Sequence, residues 1–161
     1  TELKRCFLVY VGPSSMRKTA LICASAKTLT DRGNCIVNID CIMGLLDWNN
    51  PENMQEEGRA LAREVSCINV FIQPCDRKYN KNVWDNCALI LSERSDEELR
   101  PYLDRLFQWL EDMNWPGAEC IYRRLKRYHE DRLFRSMLNE CIREAITLEK
   151  DIWLQVLREF E

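Results

Sequence analysis

The chain has 161 residues, 46% of them hydrophobic and 30% charged, a balance that supports a packed core and excludes wholesale disorder. Its 26 acidic and 23 basic side chains leave a net charge of -3, so nothing draws the whole molecule toward nucleic acid. No apolar run approaches the roughly 20 residues of a membrane span, and five Gly with five Pro supply too little turn chemistry for a barrel or sandwich of many short strands.

The N-terminal run Leu3–Val11 is apolar but too short for a signal peptide, and no small-residue cleavage site follows it. Cys6–Val11 can form a strand, and Gly12-Pro13-Ser14-Ser15-Met16-Arg17-Lys18-Thr19 then spells G-x-x-x-x-R-K-T. That is close to a phosphate-binding loop, in which backbone N–H groups wrap the phosphates, the lysine reaches the terminal phosphates and the threonine holds magnesium. In this alternative Gly12, Lys18 and Thr19 bind a nucleotide, a helix runs from Thr19 to Asp31, and Cys35–Asp40 is a second strand. Arg17 stands where the second glycine belongs, and the helical sequence downstream offers no further parallel strands. The plainer reading makes Gly12-Pro13 a turn, Ser14 or Ser15 a cap, and Lys18 and Thr19 ordinary helix residues.

From Ile39 the grammar is helical. Ile39, Ile42, Met43, Leu45 and Leu46 form a short apolar helix; Asn50 then caps and Pro51 starts a second, with Met54, Gly58, Leu61, Ala62 and Val65 on its buried face. The apolar stretch Cys67–Pro74 followed by polar Cys75–Asn80 reads as a packed linker between two blocks, with a short strand as the alternative. Beyond it, Asn82 caps a helix bearing Val83, Trp84, Cys87, Ala88 and Leu91, and Ser95 with Glu98 makes a capping box. Pro101 restarts the helix, and Leu103, Leu106, Leu110 and Met113 form its stripe. Asn114 and Pro116 open the next helix, carrying Ala118, Ile121, Tyr122 and Leu125. Two more helices complete the chain, one with Leu133, Phe134, Met137, Leu138, Cys141, Ile142 and Ala145, the other with Ile152, Trp153, Val156, Leu157 and Phe160.

Leu45-Leu46-Asp47-Trp48-Asn49-Asn50-Pro51 and Leu110-Glu111-Asp112-Met113-Asn114-Trp115-Pro116 repeat one pattern: a helix end, an acid, an Asn and a Pro. Helix pairs of this kind, none able to bury its face alone, are the units of HEAT-like solenoids. The expected fold is therefore all-α, an antiparallel helix-pair repeat (α-solenoid) with a short β element allowed near the N-terminus. One domain spans 1–161, comprising an N-terminal segment 1–38, a first helix pair 39–66, the linker 67–80 and a C-terminal block 81–161.

The tracts Asn82–Cys87, Ser95–Leu103 and above all Trp109–Ala118, with its D-x-N-W-P-G-A run at Asp112–Ala118, carry a resemblance. Residues from about 42 to 160 resemble a family of bacterial proteins known only as a domain of unknown function; residues 1–38 lie outside it. The resemblance implies a small all-helical, HEAT-like domain and carries no activity, cofactor or catalytic residue.

Nine cysteines, an odd number with no C-x-x-C pair, read as reduced thiols, mostly packed as small hydrophobes, with neither a disulfide framework nor a metal site. A reducing compartment, the cytoplasm, is expected. His129 is the single histidine and sits at a helix boundary, where capping or exposure explains it better than base catalysis. Glu52, Glu56, Glu57, Asp96, Glu97 and Glu98 fall near helix N-termini, which their charge favours. The run Arg123, Arg124, Lys126, Arg127, Arg132 and Arg135 could be a nucleic-acid ridge with Tyr128 to stack, but Glu130 and Asp131 interrupt it. A solvated helix end, or a face for an acidic protein, fits better. Trp84, Trp109 and Trp153 read as core; Trp48 and Trp115 lie at helix turns, where an indole seals a junction or anchors a partner. The chain is expected to be a non-enzymatic protein-interaction module without a cofactor, an adaptor or an inhibitor of the toxin-immunity type. Its candidate contact residues are Trp48, Trp115, Arg123, Arg124, Arg127 and Arg132. The alternatives are nucleotide binding at 6–40 and nucleic-acid binding through 123–135.

Overall fold

A computed structural model describes the backbone at residues 8–11, 27–29, 35–74 and 80–161, with side chains at 38–74 and 80–161. The chain divides into two compact units, residues 1–70 and 71–161, and the division falls within the 67–80 stretch.

In the first unit β1 (Leu8–Val11), β2 (Lys27–Leu29) and β3 (Cys35–Asn38) form a sheet of order β1-β3-β2. Both pairings are antiparallel, with Leu8 opposite Asn38, Val11 opposite Cys35 and Thr28 opposite Ile36. The short β element is thus a three-stranded sheet, and every other described element is helical. Two expectations change. Lys27–Leu29 is a strand, not the end of a helix over 19–31, and β1 runs antiparallel to β3, whereas a phosphate loop is framed by parallel strands. Gly12, Lys18 and Thr19 lie outside the described residues.

Asn38 ends β3 and caps α1 (Ile39–Leu45), its side-chain oxygen accepting from the Asp40 N–H at 2.9 Å. Ile39, Ile42, Met43 and Leu46 are buried, as their spacing requires. The helix packs on α2 (Glu52–Arg63). Gly58 permits the close approach: a Cβ there would lie 2.9 Å from the Leu45 Cβ. Asn50 does not cap α2. Its amide turns back to the Gly44 and Leu45 carbonyls at 2.7 and 3.2 Å, closing the C-terminus of α1 instead. The apolar tract after α2 is a short 3-10 turn, Ile68–Phe71, not a strand.

The second unit contains α3 (Trp84–Ser92), α4 (Asp96–Leu99), α5 (Leu103–Trp109), α6 (Ala118–Leu125), α7 (Arg132–Thr147) and α8 (Asp151–Arg158). α3 packs against α6, α5 against α6 and α7, and α7 against α8. The core holds Trp84, Trp109, Trp153, Phe107, Phe134, Leu91 and Leu99, so the three tryptophans assigned to the interior are there. The capping box is complete, Ser95 and Glu98 each bonding the other's backbone N–H, and Pro101 sits in a 3-10 turn that restarts the chain into α5. The asparagine caps move. Asn80 accepts from the Asn82 N–H ahead of a 3-10 turn, and α3 begins only at Trp84. Likewise α6 begins at Ala118 behind a left-handed Gly117, φ 80°, while Asn114 belongs to the turn before it. Two stripe residues point out of the core: Leu133 and Ile152 are exposed.

Candidate interaction surface

The basic run is not one ridge. Arg124 is only 7% exposed; it pairs with Asp96 at 2.5 Å and donates to the Arg94 carbonyl at 2.9 Å. The His129 N–H also donates to Asp96 at 2.9 Å, and the Tyr128 hydroxyl donates to the Asp96 carbonyl at 3.2 Å. Burial opposes the charge of Asp96, but the His129 N–H and the Arg124 guanidinium outweigh it and hold the carboxyl below its ordinary value. Arg124 therefore fastens α6 to the α3–α4 turn and presents no charge to a partner. Around it, Arg123 pairs with Glu119 one turn away at 2.7 Å, and Arg135 pairs with Glu130 and donates to the Phe160 carbonyl. Lys126 donates to the Glu159 carbonyl and lies 4.5 Å over the Phe160 ring. Arg127, Arg132 and the imidazole of His129 are exposed. Arg132 stands on an open groove of about 400 Å³ with Arg100, Asp131, Leu133 and Ser136, where Arg100 and Asp131 form an ion pair.

The two junction tryptophans part company. Trp115 is half-buried, its ring edge-on to Trp84 at 5.9 Å, and so seals the α3–α6 junction. Trp48 is 43% exposed in the turn between α1 and α2.

The three most exposed large hydrophobic residues among those described lie elsewhere, at the α7–α8 turn, where Ile146, Leu148 and Ile152 are 55%, 51% and 70% exposed. Single exposed aliphatics carry no message, but three within seven residues at one hairpin tip do. The local fold explains their display. Phe134, Leu138, Cys141 and Ala145 form the buried stripe of α7, so Ile146, one position past it, is rotated about 100° off the core. The helix then closes in a Schellman motif, with the Glu149 N–H on the Ile146 carbonyl at 3.2 Å and the Lys150 N–H on the Ala145 carbonyl at 2.9 Å. Glu149 occupies the left-handed position at φ 53°, usually a glycine's. In α8, Trp153 and Leu157 take the core side, the Trp153 indole donating to the Phe107 carbonyl at 2.9 Å. Ile152, one position earlier, is turned to solvent.

The electrostatics of this turn are negative. Lys150 is drawn inward, bonded to Glu111 at 2.7 Å and lying 5.3 Å over the Trp153 ring, which leaves Glu144, Glu149 and Asp151 exposed around the aliphatics. Burial pushes the Cys141 thiol up to about 12, with Glu144, Asp104, Glu140 and Glu111 adding to the rise. That thiol and the buried Cys87 thiol, which burial also raises, are held protonated and unreactive. Sequence reading missed this surface because it assigned Ile152 to the core face. The signal that could have found it was the surplus of aliphatics beyond one stripe, interleaved with Glu149 and Asp151.

Among the described residues no helix is long and apolar enough to cross a membrane. No curated protein and no solved structure matches the chain. One family's sequence profile does, over residues 79–159, a narrower stretch than the one from about 42 that the motifs suggest. It covers α3 to α8 and so contains both the Asp112–Ala118 tract and the α7–α8 turn. The chain belongs to that family, described as a domain of unknown function (DUF5071).

Proposed function

We propose that the protein is a non-enzymatic protein-interaction module of the cytoplasm, an adaptor or an inhibitor of the toxin-immunity type. The observation that carries this reading is the display of Ile146, Leu148 and Ile152 at one turn, since apolar side chains clustered in water lower their free energy when a partner covers them. A HEAT-like helix-pair repeat is part of the same proposal, because such folds work through the surface their stacked helices present. What supports it is the repeated Asp-x-Asn turn: Asp47 accepts from the Asn49 N–H and side chain at 2.9 and 2.8 Å, and Asp112 from those of Asn114 at 2.9 and 3.0 Å.

Parallel affinity capture from an extract of the source organism, with wild-type protein and an Ile146→Asp/Ile152→Asp variant as baits, tests the function. A partner retained by the wild type, lost from an equally folded variant, and bound again after purification is the expected result. Identical recovery on both baits would contradict it.

A further inference from the structure

Resting on that reading, we propose that the α7–α8 turn docks a basic protein segment: an apolar centre covering Ile146, Leu148 and Ile152, flanked by lysines or arginines that meet Glu144, Glu149 and Asp151. Charge complementarity favours this occupant, and α7 shows it first. A helix is stabilised by acids in its first turn and bases in its last. Beyond its cap, Asp131, α7 is built the other way: Arg132 opens it and Arg135 stands one turn on, no acidic residue lies in its first turn and no basic residue in its last, and Glu140 and Glu144 fall in its second half. Arg135 is accounted for by Glu130 and the Phe160 carbonyl, but acids in the second half of a helix cost stability when it is alone, so Glu140 and Glu144 are not explained by the helix itself.

The pattern concentrates negative charge around the exposed aliphatics. From 140 to 152 there are four carboxylates and two cations; Lys150 is engaged by Glu111 and the Trp153 ring, and Arg143, exposed beside Glu144, offsets one carboxylate and leaves the stretch acidic. Only Asp151 sits where a helix favours it, in the first turn of α8. A second acidic surface, including that of nucleic acid, would meet this rim with like charge. A basic amphipathic face would bury the apolar centre and pair its own cations with the rim. Such pairing acts mainly on selectivity and the rate of encounter, and weakens with salt.

The test uses the full chain, labelled for NMR, and three short amphipathic helical peptides whose leucine faces are identical and whose other faces are lysine, glutamate or glutamine. The lysine peptide is expected to perturb the amides of 144–152 first. It should bind about tenfold more tightly than the glutamine peptide, an advantage lost in a Glu149→Lys/Asp151→Lys variant and at high salt. Equal binding of all three peptides at the turn would overturn the basic partner while leaving a protein-docking surface in place. Perturbation centred elsewhere would also overturn the proposal, and so would concentration-dependent shifts at the turn before any peptide is added, which would make a second copy of the chain the occupant. No perturbation at the turn by any peptide would remove the docking surface and the reading it rests on. Ile152→Ser, a polar change at an exposed site, serves as the second variant and should weaken all three peptides alike.

Discussion

The turns at Asp47–Pro51 and Asp112–Pro116 are locally the same object. In each, the aspartate side chain accepts from the asparagine two residues on, and its carbonyl accepts from the N–H three residues on, at 3.0 Å from Asn50 and 2.9 Å from Trp115. The two differ at the second residue, Trp48 against Met113, at the fourth, Asn50 against Trp115, and in the chain just beyond the proline. In the first turn Asn50 ties off α1 and Pro51 leads straight into α2, so Trp48 is left in solvent. In the second, Trp115 packs on Trp84, the Trp109 indole donates to the Pro116 carbonyl at 3.0 Å, and Gly117 inserts a left-handed residue before α6. One short-range code closes both turns, and the indole's place in it differs: the second residue, Trp48, is left in solvent, and the fourth, Trp115, meets Trp84.

Gly117→Ala should break the second turn most severely. An added Cβ would meet the Ala88 Cβ at 2.5 Å and the Trp84 carbonyl oxygen at 3.0 Å, at a φ that L-residues avoid, a loss of about 3 kcal/mol in denaturant unfolding. Next in size is the tryptophan contrast. Trp115→Ala should cost about 2 kcal/mol for its lost aromatic packing, and Trp48→Ala less than about 0.5 kcal/mol; equal losses would erase the distinction between seal and surface. Asp47→Ala and Asp112→Ala should each cost about 1 kcal/mol, and here similarity is the prediction, since the hydrogen bonds match. The last effect is read in the second unit. Asp96 and Glu98 are held below their ordinary values of 3.8 and 4.5, Asp96 by the His129 N–H and Arg124 against the opposing pull of burial, Glu98 chiefly by the Ser95 N–H. Groups with depressed folded values stabilise the native state above their unfolded values. Melting temperature should therefore fall as pH drops below about 4.5, less steeply in Asp96→Asn than in wild type.

The sequence made the helical elements legible wherever one apolar stripe met one clear start signal. Ser95 with Glu98 and Pro101 are such signals, because the groups that satisfy them lie within a turn of the chain. Asn50, Asn82 and Asn114 misled for the converse reason: an asparagine can serve the helix before it or the turn it sits in as readily as the helix after it, and packing makes the choice. Periodicity likewise could not tell Ile152 from Trp153, two adjacent apolar residues of which the larger takes the core. Arg124 looked like part of a charged face because its partner, Asp96, lies 28 residues away. The same ambiguity hid part of the candidate surface, since Ile152, read as core, is one of the three aliphatics on display.

The proposed surface stands on Ile146, Leu148 and Ile152 facing water in the uncombined protein. Methyl NMR with a soluble paramagnetic agent measures this directly. Strong broadening of these three sets of methyls is expected at all protein concentrations, with Leu138 and Leu157 of the same two helices protected. Protection of the Ile152 methyls in dilute protein would place that side chain inside the fold and contradict the proposal.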